Sequence, residues 1–241
     1  MTPNHWTAAL ALGLLAATGC TGSRRSARPA SPPAATIPYA AGPAGAGPQA
    51  NGPQAWWPVQ PLVLPPIETD EGVVSRMLLA ECKTPGYPDY DEAQAYWAML
   101  AMKAVVHNRL TTSPARFGAP GARSYADIIA ARGQWSGFSR GPQGFVVIDP
   151  ETARHVDELM AHANDGPPGA YYRFVRNALY VSYAPVQDPF AMLTSVDGGP
   201  VLPGAYGWRR EDSGQPGGAF VAIPRSAGGV LGGAQFYAIR P

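Results

Sequence analysis

Residues 21–66 place the strongest limit on what this chain can fold into. The segment is dominated by Pro, Ala, Gly and Ser, and it contains three Arg but no acidic residue. Because it lacks the regular apolar spacing that a core requires, we expect a linker without a fold of its own. A partly extended chain of this composition reaches on the order of 100 Å, at up to about 3.1 Å per residue. The folded domain is therefore expected at residues 67–241, which is long enough for one core.

The amino terminus carries the pattern of an export signal. Ala8–Ala17 is an apolar stretch too short to span a bilayer as a permanent helix. It ends in Ala17-Thr18-Gly19-Cys20, which resembles the cleavage box of lipoprotein signal peptides. We therefore predict a signal peptide at residues 1–19, a lipid anchor on Cys20 and a disordered linker over residues 20–66. An ordinary signal peptide and an apolar start that is never exported are the alternatives.

The residues around the predicted anchor bear on location and on disulfides. Thr21 follows Cys20 where an Asp would favour retention at the inner membrane, so we expect the outer membrane, with the domain facing the periplasm. The chain has two cysteines, and with Cys20 lipidated Cys82 has no partner within the chain. We therefore expect no disulfide framework and treat Cys82 as a small packing residue.

Charge is unevenly distributed along the chain. All seventeen acidic residues lie from Glu68 onward, against fifteen Lys and Arg, so the domain carries a net charge near −2. No basic stripe stands out, and we expect no nucleic-acid partner. The domain has no HExxH sequence and no glycine-rich phosphate loop, and His155 and His162 are seven residues apart, too far for a zinc pair on one helix. We expect neither a metal nor another cofactor.

Glu81 is the first candidate for chemistry. The spacing predicts an amphipathic helix over Gly72–Lys83, with Val74, Met77 and Leu78 on its apolar stripe and Glu81 on the same face. Burial and the partial negative charge of the helix end both raise the pKa of a carboxyl group in the last turn. A carboxylic acid that stays protonated near neutral pH can donate a proton to a glycosidic oxygen. The alternative is a side chain that swings beyond the helix end and pairs with an Arg.

Two further segments place polar groups beside apolar ones. Asp91 is a predicted N-cap for a helix that runs to about Leu110, and Asn108 ends its apolar stripe. The segment Gly133–Phe138 holds Gln134, Trp135 and Ser136 in a loop flanked by Gly. Aromatic faces with amide and hydroxyl groups suit a sugar-binding cleft. Asn108 could equally cap a neighbouring helix, and a Trp in a loop is often local core.

The remaining patterns set the expected fold class. Ser124-Tyr125-Ala126-Asp127 predicts a capping box and a short helix, and Asp149-Pro150-Glu151 predicts a helix that ends near Asn164. Residues 171–184 fit a helix or a strand. Short strands are predicted at residues 220–223 and 235–239. The sequence therefore indicates a mainly helical α+β domain with a small C-terminal β element.

Taken in order, these segments resemble the SleB-type (spore-cortex-lytic) cell wall hydrolases. The motifs are Leu79-Ala80-Glu81, Ala104-Val105-Val106-His107-Asn108-Arg109-Leu110, Gly133-Gln134-Trp135-Ser136-Gly137-Phe138 and Gly232-Gly233-Ala234-Gln235-Phe236-Tyr237. The likeness covers roughly residues 73–140 and the last ten residues. It departs from the family pattern at residues 83–90, which separate the first two motifs, and in the Gly- and Pro-rich stretch 141–231.

The resemblance implies a lysozyme-like fold, peptidoglycan as the partner and Glu81 as the catalytic acid. It also implies that Asn108, Gln134, Trp135, Ser136 and Tyr237 contact the glycan. Because no second carboxylate is evident, attack by the muramoyl 6-hydroxyl favours a lytic transglycosylase that cleaves between N-acetylmuramic acid and N-acetylglucosamine.

Three alternatives stay open at this point. The first is a glycan hydrolase, a muramidase or glucosaminidase, with Asp89, Asp91 or Glu92 as its base. The second is a wall-binding lipoprotein without catalytic activity. The third is a thiol peptidase that uses Cys82 and His107, although Cys82 lacks the helix-start position that lowers a thiol pKa.

Overall fold

The computed structural model describes residues 60–211, 213–214 and 216–241. The predicted signal peptide, Cys20 and the linker up to residue 59 lie outside these residues. The described residues form five α-helices, in chain order α1 Asp70–Glu81, α2 Glu92–Thr112, α3 Tyr125–Ile129, α4 Pro150–Asn164 and α5 Ala170–Tyr183. Short 3-10 helices lie at Pro114–Phe117 and Arg225–Ala227. In this part of the chain, no helix combines the length and the apolar character that crossing a bilayer requires.

Four helices begin at residues whose side chains accept hydrogen bonds from the first turn. Thr69 accepts from the Gly72 amide and Asp91 from the Gln94 amide. Ser124 forms the predicted capping box with Asp127, and Asp149 accepts from two amides ahead of Pro150. These side chains satisfy amides that have no partner inside the helix, so the predicted starts of α2, α3 and α4 are confirmed. Helix α1 begins two residues earlier than predicted, because Thr69 caps it.

The burial of α1 differs from the amphipathic pattern predicted for it. Val73, Val74, Met77, Leu78 and Leu79 are all fully buried, so apolar side chains leave the helix in several directions. The reason is that α1 packs against each of the other four helices. Helix α2 is also buried over most of its middle, from Ala98 to Val106. Both helices therefore form the centre of the domain.

The two remaining long helices cover this centre. Helix α4 follows the predicted pattern, with Val156, Leu159 and Ala163 buried on one face. The ambiguous stretch 171–184 is helical, and its Phe174 and Val175 pack against the core. A buried ammonium group at Lys103 donates to the carbonyl oxygens of Val181, Ser182 and Ala184 at 2.5–3.0 Å, and so stabilises the end of α5.

The strands are short and antiparallel. They are, in chain order, β1 Phe138–Arg140, β2 Val146–Ile148, β3 Ser195–Val196, β4 Gly199–Pro200, β5 Gly207–Arg210, β6 Phe220–Ala222, β7 Val230–Leu231 and β8 Ala234–Ile239. β1 pairs with β2 and β3 with β4, while β5, β6 and β7 all pair with β8. The predicted strands near 220–223 and 235–239 are confirmed as β6 and β8, and the mainly helical α+β class is confirmed with them.

The turn between β7 and β8 accounts for the paired glycines of the last motif. Gly232 and Gly233 have φ angles of 54° and 78°, which side-chain-bearing residues adopt only with strain. A two-residue turn with both φ angles positive matches the twist of a hairpin. The glycines thus serve the hairpin that brings β8 into the sheet.

The packed domain begins before residue 67, where the sequence predicted its boundary. The Leu62 amide donates to Asn164 Oδ1 at 2.8 Å, and Asn164 Nδ2 donates to the Leu62 carbonyl at 3.0 Å. Pro65 is buried, and its carbonyl accepts from Arg76 Nη1 at 2.7 Å. The carbonyl oxygen of Pro66 lies where a Cβ on Gly72 would stand. Residues 62–66 therefore belong to the domain, because their backbone groups find partners on α1 and α4.

Candidate active site

Glu81 lies in the last turn of α1, as the sequence predicted, although the helix ends at Glu81 and not at Lys83. The helix ends because Cys82 leaves the helical backbone conformation, while its amide still donates to the Leu78 carbonyl. The Glu81 side chain is partly buried, and Trp208 Nε1 donates to its Oε2 at 3.4 Å. Burial raises the pKa of the Glu81 carboxyl, and the Trp208 hydrogen bond opposes that shift. The net direction is upward, as a general acid requires.

A loop flanked by two glycines brings three of the predicted residues to Glu81. Gly133 and Gly137 have φ angles of 75° and 90°, so the chain can turn sharply at both ends of the loop. A Cβ on Gly137 would lie 2.2 Å from Thr152 Oγ1, which shows how closely the loop approaches α4. Between the glycines, Gln134, Trp135 and Ser136 line the cavity that contains Glu81.

Trp208 reaches the site from the sheet. It lies on β5 opposite Phe236 of β8, and the two rings are 6.4 Å apart between centroids. Its ring is 5.4 Å from that of Trp135. This places an indole N–H beside the Glu81 carboxyl and an aromatic surface along the cavity. Aromatic faces of this kind suit the apolar faces of sugar rings.

Arg109 is the most buried charge near Glu81. Only 8% of the residue is exposed, and its guanidinium lies 5.2 Å from the Phe117 ring centroid and 5.0 Å from that of Trp135. Nε donates to the Tyr206 carbonyl at 2.7 Å, and Nη1 donates to Gln134 Oε1. Burial lowers the pKa of Arg109 to about 10, so the group stays charged at neutral pH.

Three cavities share lining residues around Glu81 and Trp208, and together they are called the cleft here. The central cavity, about 290 Å³, is lined by Glu81, Arg109, Gln134, Trp135, Ser136, Trp208, Arg209, Arg210 and Ser213. The arginine cavity, about 360 Å³, shares Arg109, Gln134, Trp208 and Arg209 with it and adds Arg116, Phe117 and Phe220. The lysine cavity, about 220 Å³, shares Glu81, Trp208 and Arg210 and adds Lys83, Tyr87, His155, Gly232 and Gly233. Trp208 lines all three cavities and Glu81 lines two of them, so both residues lie where cavities adjoin.

A larger cavity, about 680 Å³, lies next to the arginine cavity. Gly118 and Gly133 line both of them. The larger cavity contains neither Glu81 nor Trp208, and its Asp127 is paired with Arg140. Size alone would point to this cavity, whereas the partly buried carboxyl group with a raised pKa, Glu81, lines the smaller central one.

Two of the predicted substrate contacts do not line the cleft. Asn108 Nδ2 donates to Asp188 Oδ2 at 2.7 Å and to the Ala205 carbonyl at 2.9 Å, so it joins α2 to the segment that leads into β5. Tyr237 is 3% exposed, and its hydroxyl donates to the Gly214 carbonyl at 3.3 Å. Both side chains therefore support the polypeptide around the cleft, and the Asn108 amide donates to loop residues and not to the end of a neighbouring helix.

The carboxylates considered as a second catalytic group have other partners. Asp89 pairs with Lys83 at 2.5 Å, Asp91 caps α2, and Glu92 pairs with Arg173 at 2.8 Å. Among the described residues that line the three cavities, Glu81 is the single carboxylate, and the cationic residues are Lys83 and four arginines, Arg109, Arg116, Arg209 and Arg210. Hydrolysis with one of the three candidates as base therefore finds no support in this geometry.

The geometry also disfavours thiol chemistry. The Cys82 thiol is buried and lies 3.5 Å from Met102 Sδ, and burial followed by the Glu81 charge raises its pKa. A thiolate is the nucleophilic form, so both effects reduce its reactivity. His107 Nδ1 instead lies 3.0 Å from the Tyr125 hydroxyl. Within the described ranges, no group of three or more His, Cys, Asp or Glu is arranged to hold a metal ion.

Trp208 and Arg109 are the functional candidates that the sequence did not single out. Arg109 follows Val105 by four positions and so continues the apolar face of α2, which is an unusual position for a charge. That spacing was an available signal. Trp208 lies in a four-residue strand with two arginines, where alternation is too brief to indicate a strand.

Comparisons of the chain with protein-family models, with curated proteins and with solved structures found no match. The likeness to the SleB-type enzymes stays a prediction based on the motifs quoted above.

Proposed function

We propose that this protein is a lipoprotein that degrades peptidoglycan, with a lysozyme-like domain acting as a lytic transglycosylase. The observation that carries the proposal is Glu81, an acid with a raised pKa that is partly buried where the central and lysine cavities adjoin. A glycan strand bound along these cavities would lie beside this acid. Trp135 and Trp208 supply aromatic surface, and Gln134 and Ser136 supply hydrogen-bonding groups.

The reaction needs one carboxyl group in two protonation states. Protonated Glu81 donates its proton to the oxygen that joins C1 of N-acetylmuramic acid to N-acetylglucosamine, and the C1–O bond breaks. The muramoyl 6-hydroxyl attacks C1 and gives its proton to the Glu81 carboxylate, which restores the acid. The products are a shortened glycan and a 1,6-anhydromuramoyl end, and no water is consumed.

The absence of a second carboxylate among the described lining residues supports this route over hydrolysis. An inverting hydrolase needs a base about 6.5–9.5 Å from the acid to activate water. Here the cleft presents arginines and Lys83 around Glu81 instead. Attack by a hydroxyl of the substrate itself requires no such base.

The reaction is tested by digesting purified sacculi with the Cys20→Ser protein and weighing the products. We expect muropeptides about 18 Da lighter than hydrolytic ones, because the 6-hydroxyl replaces water. Glu81→Gln keeps the size of the side chain but loses the proton, and we expect cleavage to fall by about two to four orders of magnitude. Glu158→Gln, which removes an exposed carboxylate on α4, is the matched control and should cleave normally.

Each other outcome removes part of the proposal. Products of full hydrolytic mass would leave a glycosidase and overturn the transglycosylase. Near-normal cleavage by Glu81→Gln would overturn Glu81 as the acid. Equal binding of sacculi by wild type and Glu81→Gln, with cleavage by neither, would leave a wall-binding protein.

The anchor is tested separately. Cys20→Ser should move the protein from the membrane fraction to the soluble periplasm and abolish lipid labelling. Unchanged fractionation and labelling would exclude a lipoprotein without affecting the assignment of Glu81.

A further inference from the structure

The arginine cavity contains a buried cation that no carboxylate in the described residues neutralises. Arg109 is held by the Tyr206 carbonyl, the Gln134 amide oxygen and two aromatic faces, all of them uncharged. Burying a charge is unfavourable unless it finds a counter-charge, and for that reason buried arginines are usually paired. Arg109 lines both the central and the arginine cavity, so a ligand in the cleft can reach it.

Two exposed arginines stand at the same cavity. Arg116 donates through Nη2 to the Arg240 carbonyl at 2.7 Å, and Arg209 lies on β5 next to Trp208. The nearby acidic groups are engaged elsewhere: Glu211 pairs with Arg225, and Asp127 pairs with Arg140. No described residue that lines the arginine cavity is acidic.

The local backbone keeps Arg109 in this position. Gly207, which precedes Trp208, would place a Cβ 3.0 Å from the Phe220 ring and 3.3 Å from Arg109 Nη2. A side chain at residue 207 would therefore press on the guanidinium. Gly207 on the strand that carries Trp208 therefore leaves room for the Arg109 guanidinium.

We infer that Arg109, Arg116 and Arg209 form a carboxylate-binding subsite, which positions the acidic peptide substituent of the glycan strand beside Glu81. The inference rests on the proposed function and adds to it the feature of the substrate that is recognised. A planar guanidinium can donate two parallel hydrogen bonds to a carboxylate, and such charge-assisted pairs are among the stronger hydrogen bonds. The wall polymer carries its free carboxylates on peptides attached to N-acetylmuramic acid. A carboxylate subsite next to Glu81 would therefore determine which side of the acid the peptide-bearing sugar occupies.

The experiment compares two ligands that differ only at their carboxyl groups. One is the disaccharide GlcNAc–MurNAc bearing a tetrapeptide with free carboxylates, and the other is the same molecule with those carboxylates amidated. Binding to the Cys20→Ser, Glu81→Gln protein is followed by Trp fluorescence, because Trp135 and Trp208 line the central cavity that adjoins the subsite. We expect the amidated ligand to bind about tenfold more weakly or worse, the effect of losing one charged hydrogen bond.

Substitution of the exposed Arg209 tests whether the arginines form the subsite. Arg109→Gln would also remove the buried contacts of the guanidinium with Phe117 and Trp135 and could unfold the domain, so Arg209→Gln is the informative change. It should weaken binding of the free-acid ligand about tenfold and leave binding of the amidated ligand unchanged. Arg176→Gln, an exposed arginine on α5 outside the cleft-lining residues, is the matched control and should change neither affinity.

The inference is overturned if both ligands bind equally, if Arg209→Gln weakens both to the same extent, or if neither ligand binds. These results are independent of cleavage, which is measured on sacculi. A protein that cleaves sacculi but binds both ligands equally would keep the proposed function and lose the subsite. A protein that prefers the free-acid ligand but cleaves nothing would keep the subsite and lose the enzyme.

Discussion

Trp208 Nε1 lies 3.4 Å from Glu81 Oε2, so two residues separated by 127 positions in the chain meet at the wall of the central cavity. The indole has two opposite effects on the carboxyl group. Its ring helps to keep water away, which raises the pKa, while its N–H favours the ionised form and lowers the pKa. Burial is the larger of the two effects.

Two substitutions of Trp208 should move the pH profile in opposite directions. Trp208→Phe keeps an aromatic cover and removes the donor, so the pKa of Glu81 should rise and activity should persist to higher pH. Trp208→Ala removes the ring and admits water, which reduces the larger effect, so activity should be lost at lower pH than in wild type. The measurement is kcat/KM on sacculi across pH, whose alkaline limb reports the acid in the free enzyme. Shifts of both variants in the same direction would contradict the account.

Glu81 should also make the stability of the domain depend on pH. Its pKa is raised in the folded state above the ordinary 4.5, so the folded protein binds this proton more tightly than the unfolded chain does. The stabilisation is fully present below about pH 4.5 and is lost as pH rises through the folded pKa.

Glu81→Gln has no such titration, so its melting temperature relative to wild type should increase from pH 4 to pH 8. Urea or thermal unfolding of both proteins over that range measures the difference. Glu158→Gln, which removes an exposed carboxylate on α4, is the control for the loss of one acidic group. A constant gap between Glu81→Gln and wild type would mean that burial does not perturb the acid.

The sequence predicted the helices better than the strands, and the reason is their range of interaction. The caps at Asp91, Ser124 and Asp149 act within one turn, so they can be read directly from neighbouring residues. Strand β5 exists because β8 pairs with it across more than twenty residues, and its four residues carry no period of their own. Trp208 lies on this strand, so the sequence alone did not indicate that its side chain reaches Glu81.

Burial was predicted less well than helix position. One apolar stripe was expected on α1, but this helix is surrounded by four others, which its own sequence cannot show. Asn108 illustrates the same limit at the site. Its place at the end of an apolar stripe predicted burial near other elements, but only the fold determines that Asp188 and Ala205 are its partners.

Cys82 provides a test against the thiol peptidase. Because burial raises the pKa of its thiol, iodoacetamide should not modify Cys82 in the folded Cys20→Ser protein at pH 8, and should modify it after denaturation. Cys82→Ala should cleave sacculi normally, with a loss of stability of about 1 kcal/mol from lost packing. Rapid alkylation of the folded protein together with loss of cleavage in Cys82→Ala would support the Cys82 thiol as the nucleophile.

Asn108 and Gln134 were both predicted to contact the glycan, but only Gln134 lines the cavities around Glu81. Asn108→Ala leaves Asp188 Oδ2 and the Ala205 carbonyl without their donor, so unfolding should become easier by about 1–3 kcal/mol. Gln134 lines two cavities and accepts from Arg109, so Gln134→Ala should reduce kcat/KM on sacculi about tenfold or more, while the melting temperature falls less than in Asn108→Ala.

The stability of Asn108→Ala and Gln134→Ala is measured by urea unfolding, and their activity by cleavage of sacculi at a temperature where both variants are folded. Asn108→Asp serves as a second variant, because it keeps the shape of the side chain but places a negative charge against Asp188, and it should be less stable than Asn108→Ala. If Asn108→Ala instead kept wild-type stability and lost cleavage, Asn108 would belong to the substrate site as the motif implies. If Gln134→Ala cleaved normally, the loop would hold Trp135 in place without itself contacting the glycan.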